Sequence, residues 1–422
     1  MKVILSVALW GQRYVETFAS YSLASQLSPG NIPRAVSEHQ LTYHIITTRR
    51  DAKRLKGHPN FRRLAGCCEV VWDIIEDRGY NPWQIPADLD GEKYPFLSQL
   101  QNIGFERSLE HDVVVFNYAD FIWADGALPR TIAMMRANVD AVLGFCPPVD
   151  SEKGKRALEE HRRQDADQSS FLMLPPGSAA GIIIDNLHAE ARLRLWNGPD
   201  FTSLPTYVMW PVADEGLLVR AYHQTVLALR VKAHDPWYRG GIRRGSLDGY
   251  FTAGLADRGG IAHAADSEQV LVFSLYETAF NSGLRPGDSR EESVRRCLRI
   301  SVSEGQRRFA ETPLLIKQRV TDAAEWAAVA QRSWEILSKF HEEVRPDWMA
   351  FAKEYATYGD IESLEQRWRK AWSLRVLLYR RVVGHGLVGR TASLGKRLFG
   401  PARARAWRVK LESWFFHEQP RV

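Results

Sequence analysis

Residues 113–126 read Val113-Val114-Val115-Phe116-Asn117-Tyr118-Ala119-Asp120-Phe121-Ile122-Trp123-Ala124-Asp125-Gly126. A continuous apolar run gives way to two carboxylates, and a glycine follows. Such a run suits a strand buried on both faces, as at the centre of a parallel sheet. Open α/β sheets bind ligands just beyond the carboxyl ends of their strands. Two acids placed there can hold a divalent cation, and the cation can hold a phosphate. The stretch therefore points to a fold and a chemistry together.

The flanking sequence supports the fold. Val3–Trp10 reads as a strand, and Arg13–Leu27 as a helix closed by the breaker-rich Ser28-Pro29-Gly30-Asn31-Ile32-Pro33. Leu41–Thr48 and Glu69–Ile75 read as further strands, Tyr94–Leu109 as a helix, and Asp112–Asn117 and Asp140–Phe145 as strands again. This β-α-β rhythm predicts an α/β, Rossmann-like, mostly parallel and doubly wound sheet. After Pro147-Pro148 the rhythm changes. Glu152–Asp165 is a charged helix or excursion, Asp185–Trp196 has helical spacing, Gly216–Ala233 is strand-like, and Gln269–Leu275 is apolar. From about Arg290 the pattern is helical to the end, with no internal repeat. The expected division is residues 1–290 as one α/β domain and 291–422 as an all-helical C-terminal region, with the break near Gly287-Asp288-Ser289.

Composition narrows the class. The chain has 422 residues and 45% hydrophobic content, enough for a substantial core. Its four cysteines, Cys67, Cys68, Cys146 and Cys297, match no zinc spacing or disulfide framework, which points to a reducing, cytoplasmic setting. No apolar run approaches the ~20 residues of a membrane span. Met1–Trp10 reads as a first buried strand rather than a signal peptide, because no small-residue cleavage site follows. Charge is uneven. Residues 366–422 carry fourteen Lys/Arg against Glu412 and Glu418, so the net +6 combines +12 in the tail with −6 in the body. That asymmetry suggests a tail meeting an anionic surface.

Several residues can carry chemistry. Asp120 and Asp125 are the candidate metal ligands, since Mg²⁺ and Mn²⁺ prefer carboxylate oxygens and share their shell with phosphates. On a straight strand they would lie about 17 Å apart on opposite faces, so they share an ion only if the chain turns between them. Asp125-Gly126 also reads as a tight turn, and Asp120 as a cap. Gly11 allows a ligand close to the backbone, and Trp10 can pack beside a base. Asp51 reads equally as an acceptor for a base or ribose group and as a helix-start residue. His223 reads as a core histidine or as a third metal ligand or phosphate contact. In Arg239-Gly240-Gly241-Ile242-Arg243-Arg244-Gly245, arginines on a glycine frame can close over a diphosphate. Asp248 directly follows as a candidate base, with Asp214 and Glu215 as competitors.

The pattern Val3–Gly11, Leu41–Asp51 and Asn117–Gly126 resembles the GT-A glycosyltransferases over residues 1–290. That family binds a nucleotide-sugar on a Rossmann-like sheet, and a central strand ends in an Asp-x-Asp-type motif that grips metal and diphosphate. The motif here is a variant, Asn117-x-x-Asp120 followed by Asp125. The resemblance implies a hexosyltransferase-type enzyme with a nucleotide-sugar donor held by Trp10, Gly11, Thr48, Asp51, Asn117 and Asp120. It implies Mg²⁺ or Mn²⁺ at Asp120, Asp125 and His223, catalysis by Asp248, Arg243 and Arg244, and a cell-surface glycan or lipid-linked acceptor. A metal-dependent nucleotidyl- or phosphotransferase, or a non-catalytic carbohydrate-binding module, are the alternative readings.

In the tail, Trp407, Leu411, Trp414 and Phe415 recur at i, i+4, i+7 and i+8, with Arg403, Arg405, Arg408 and Lys410 elsewhere around the helix. Aromatics opposite cations suit an anionic membrane surface and a peripheral place at the inner face of the plasma membrane. Packing on the acidic body is the equal alternative. Nothing else in the chain resembles a nucleic-acid fold.

Overall fold

In the computed structural model the residues described are 1–80, 93–231, 247, 249–256, 259–279 and 289–345. By its contacts the chain divides into Met1–Gly359 and Asp360–Val422, and every described residue lies in the first unit.

β1, Lys2–Ala8, lies inside the main sheet of that unit, with a parallel neighbour on each side. Its Val3, Ile4, Leu5 and Val7 are at most 1% exposed, so both faces of the strand are covered. Side chains buried this fully contribute about 1.5–3 kcal/mol each relative to exposure. β2 (Gln40–Thr47) and β3 (Glu69–Ile74) extend the sheet on one side, both parallel. On the other side β4 (Val113–Asn117) runs parallel to β1, with Val3 opposite Val113 and Val7 opposite Asn117. The apolar run of residues 113–116 thus lies in the middle strand of the seven-stranded sheet, buried throughout, as its composition predicts.

After Asn117 the chain turns, and β5 (Phe121–Trp123) leaves for a different sheet. The main sheet resumes with β6 (Ala141–Gly144), and β7 (Pro148–Asp150) joins β5 in the smaller sheet. A hairpin, β8 (Arg162–Gln164) and β9 (Ser170–Leu172), follows. Next come β10 (Tyr207–Val212), β11 (Gly216–Ala221) and β12 (Thr225–Leu229). β13 (Ile261–His263) and β14 (Val272–Tyr276) return to the two earlier sheets, and β15 (Leu314–Lys317) pairs with β11.

The main sheet has seven strands in the order β13-β6-β12-β4-β1-β2-β3, parallel except for β12. Being reversed, β12 begins where its neighbours end, so Gln224 and Thr225 lie at the same edge as the carboxyl ends of β4 and β6. The sequence marked Gly216–Ala233 as strand-like without giving directions. It holds two strands in two sheets.

Three stretches differ from the sequence expectation. Within Asp185–Trp196 only Ala189–Arg192 is an α-helix, and the longer helix is Pro176–Asp185. Glu152–Asp165 comprises the helix Ser151–Glu159 and then β8. Beyond Arg290, helices Arg290–Ile300 and Ala323–Glu343 flank β15, and the pairing of β15 with β11 binds this segment into the first unit.

Two buried charges show how tightly this segment is fastened. The Arg220 guanidinium on β11 donates to the Ala310, Glu311 and Ala330 carbonyls at 2.9, 2.6 and 2.7 Å and to Ser333 Oγ at 3.1 Å. Glu215 accepts from Trp326 Nε1 at 2.8 Å and from the Thr321 and Asp322 amides at 2.9 and 3.0 Å. Asp214 pairs with Arg319 on the surface. Glu215, a competitor for the base role, is thereby committed to the fold.

Candidate functional site

The carboxyl ends of β1, β2 and β4 stop at Ala8, Thr47 and Asn117, and the loops beyond them meet. After β1, Gly11 adopts φ 85°, a conformation that favours glycine, and opens the helix Gln12–Thr17. After β2, Thr48 caps the helix Arg49–Gly57, accepting the Asp51 amide at 3.1 Å. The Asp51 carboxylate accepts from Thr48 Oγ1 at 2.9 Å, from the Gly11 amide at 2.9 Å and from Arg54 Nη1 at 2.9 Å. Of the two sequence readings of Asp51, the structure bears out the helix-start role and adds a clasp. Asp51 starts a helix, and it ties the β1 loop to the β2 loop. The lone pairs engaged this way set the position of the Gly11 backbone.

Trp10 is 7% exposed and meets Phe96 edge-on at 5.1 Å. It packs in a cluster with Ile46, Ile75, Leu100 and Ile103, with Tyr80 edge-on to the same Phe96 at 5.5 Å. The indole therefore supports the wall of this edge from within. Asn117 is buried and accepts Trp123 Nε1 at 2.9 Å, fixing β5 to the end of β4.

The proposed metal ligands do not converge. Asp120 and Asp125 stand at opposite ends of β5. Asp125 Oδ1 accepts from Ser28 Oγ at 2.6 Å and from the Gly30 amide at 2.9 Å, and a Cβ on Gly30 would sit 2.6 Å from that oxygen. Asp125 thus holds the breaker-rich loop that the sequence marks at 28–33, and Gly126 turns at φ 82°. His223 Nε2, just after β11, donates to the Ser301 carbonyl at 2.9 Å. Among the described residues no group of three His, Cys, Asp or Glu side chains is placed to hold an ion. The donor set expected for Mg²⁺ or Mn²⁺ therefore does not fit, because two of its three members are spent on the fold. Asp248, Arg243 and Arg244 lie outside the described residues, as does the tail at 366–422.

Asp120 does have charged company, and the sequence missed it. Lys155, on the helix Ser151–Glu159, donates to Thr17 Oγ1 at 3.0 Å and stands 5.5 Å from the Tyr21 ring centre. Arg13 pairs with Glu277 at 3.1 Å. Burial, first, lowers the Lys155 pKa, and Glu277, Arg13, Glu16 and Asp120 all act on it electrostatically. Arg13 follows β1, Asp120 follows β4, and Glu277 follows β14, whose Leu275 amide donates to the Asp120 carbonyl at 3.0 Å. Two cations and several carboxylates therefore gather at the edge where a parallel sheet binds ligands.

A second polar line is structural. Ser6 Oγ lies 3.1 Å from His44 Nδ1, and His44 Nε2 lies 2.9 Å from Asp73 Oδ2. The residue types are those of a hydrolytic triad, but the ring nitrogens are exchanged, with Nδ1 towards the serine and Nε2 towards the aspartate. A Cβ on Gly104 would lie 2.7 Å from Ser6 Oγ, so the helix Lys93–Ser108 closes over the hydroxyl and leaves no room for a substrate. Burial lowers the His44 pKa. Against the raising effect of its own burial, hydrogen bonds from His44 and Arg78 hold Asp73 at about 2.

No family model and no curated protein matches the chain. Among solved structures it is similar to S. aureus TarS, with 11% identity over 74% of this chain and 42% of that one and a TM-score of 0.29. It is similar to mouse xyloside xylosyltransferase 1 in its apo form, with 13% identity, 38% and 57% coverage and a TM-score of 0.24. It is also similar to GalNAc-T7 with UDP, GalNAc and Mn²⁺, with 10% identity, 82% and 56% coverage and a TM-score of 0.34. The chain spans roughly half the length of each. The likenesses are loose, and the fold stands on its own strands and helices, an α/β arrangement with a mostly parallel central sheet.

Proposed function

We propose that the chain is a glycosyltransferase that moves a sugar from a nucleotide-sugar donor to the hydroxyl of a glycan or lipid-linked acceptor. The observation that carries the reading is the meeting of Arg13, Lys155 and Asp120 at the carboxyl ends of β1 and β4, beside the Gly11–Asp51 clasp. In glycosyl transfer the acceptor oxygen attacks the anomeric carbon while the bond to the nucleoside diphosphate breaks. The departing diphosphate gains charge, and fixed cations stabilise it most where water is displaced. The acceptor hydroxyl gives its proton to a base, for which Asp248 is our candidate, with Arg243 and Arg244 assisting the leaving group. A hexosyl donor, the glycan or lipid-linked acceptor, cytoplasmic placement, and docking of residues 366–422 on an anionic membrane belong to the same proposal. Among the described residues no helix is long and apolar enough to cross a membrane. The test is product identity on UDP- and GDP-sugars, because glycosyl transfer or slow donor hydrolysis releases nucleoside diphosphate, whereas nucleotidyl transfer releases pyrophosphate.

A further inference from the structure

Lys155 is held without a counter-ion in contact. Its amine reaches across from the helix Ser151–Glu159 to Thr17 Oγ1, a neutral partner, at 3.0 Å, and the Tyr21 ring lies 5.5 Å away. Among the described residues it makes no ion pair. The carboxylates that act on it do so from beyond contact, and Arg13, the cation that acts on it with them, already holds Glu277 at 3.1 Å. Thr17 is 6% exposed, so the ammonium stands at the rim of a dry floor. A partly buried charge with neutral partners is costly to the fold, and an anion arriving there relieves the cost.

Its position is also specific. Gly154, the preceding residue, has no room for a side chain. A Cβ there would lie 2.8 Å from Val149 Cγ1 and 2.9 Å from Leu275 Cδ2. The helix is thereby pressed flat on β7 and β14, and Lys155 is carried inward to the helix that follows β1. The fold spends a glycine and a desolvated lysine at the edge where a donor would lie.

We propose that Lys155, with Arg13 beside it, seats the donor's diphosphate and takes the role that the resemblance assigned to a divalent ion. The inference rests on the glycosyltransferase reading and names the part of the donor that this site recognises. When the bond between the anomeric carbon and the diphosphate oxygen breaks, its electron pair stays on that oxygen. Lys155 and Arg13 neutralise the charge without giving up a proton. The acceptor oxygen forms the new bond to the same carbon, and its proton passes to the base. Binding of the diphosphate also favours the charged amine, which opposes the lowering caused by burial.

The experiment measures binding of UDP and GDP, their monophosphates and their nucleosides to the full chain in EDTA, for wild type, Lys155→Met and Lys155→Arg. Wild type is expected to prefer the diphosphate. Lys155→Met is expected to lose about tenfold or more in diphosphate affinity with nucleoside affinity unchanged, which corresponds to at least ~1.4 kcal/mol. Its unliganded melting temperature should equal or exceed that of wild type, because a desolvated charge has been removed. Lys155→Arg, which keeps the charge, should retain most of the preference and serves if the methionine variant fails to fold. Equal diphosphate affinity in wild type and Lys155→Met, or diphosphate binding by wild type that EDTA abolishes and Mn²⁺ restores, overturns the inference and leaves the glycosyltransferase reading standing. A wild type that binds none of these nucleotides, with or without Mn²⁺, removes that reading as well.

Discussion

Asp125 and Asp120 are five residues apart and serve different ends. Asp125 accepts from Ser28 and from the Gly30 amide, so its charge stabilises a loop. Asp125→Ala should cost about 1–3 kcal/mol in denaturant unfolding, since it leaves those donors without their acceptor. Affinity for a nucleoside diphosphate should stay within about twofold, a difference under 0.5 kcal/mol. A large loss of affinity with unchanged stability would return Asp125 to the ligand site. From the sequence, the Asp-Gly turn was legible because the local chemistry of that pair suffices. The partners of Asp125 were not, since Ser28 and Gly30 lie 97 and 95 residues away. Lys155 was illegible for the same reason. In a charged run it reads as surface, and only the packing of Gly154 on Val149 and Leu275 turns it inward. For Asp51 the helix-start role is legible, and the tie to the Gly11 amide, 40 residues away, is not.

At the level of elements, β1, β2, β3, β4 and β6 were legible because each is a short apolar run bounded by turn residues. β12 was not legible as antiparallel, because direction depends on which neighbour the chain returns to. β15 was hidden in a stretch read as helical. Four residues, Leu314–Lys317, are too few to show a period of two. Its pairing with β11 is fixed where Gly216 meets Ile316 and Trp326. A Cβ on Gly216 would lie 2.2 Å from the Ile316 carbonyl oxygen and 2.7 Å from the Trp326 ring. Backbone cannot move aside cheaply, so Gly216→Ala should cost at or above the top of the ~1–3 kcal/mol range for overpacked cores. Unfolding in denaturant measures it. A loss below about 0.5 kcal/mol, the level of an ordinary surface change, would mean that β11, β15 and the helix Ala323–Glu343 are not packed as described.

Across the whole unit, acid should weaken the fold through its histidines. Burial, with Arg307 nearby, lowers His341 from an ordinary 6.5 to about 4. Its neutral Nε2 accepts from the Tyr222 hydroxyl at 3.0 Å, a bond that protonation removes. Because the folded pKa is depressed, the unfolded chain binds the proton first. The contribution is complete above pH 6.5 and is lost as pH falls from there towards 4. For this histidine alone the loss between pH 7 and pH 5 is about 2 kcal/mol. His44 and His263 shift the same way and add to it. His341→Gln, which keeps an acceptor for Tyr222, should flatten the slope, and an unchanged slope would remove His341 from the account.

The central claim is the reaction itself, and it is met by incubating the full chain with UDP- and GDP-sugars and identifying the nucleotide product. Glycosyl transfer, or slow donor hydrolysis without acceptor, predicts nucleoside diphosphate. Pyrophosphate as the product, or no product from any donor in the presence of candidate glycan and lipid-linked acceptors, would contradict it.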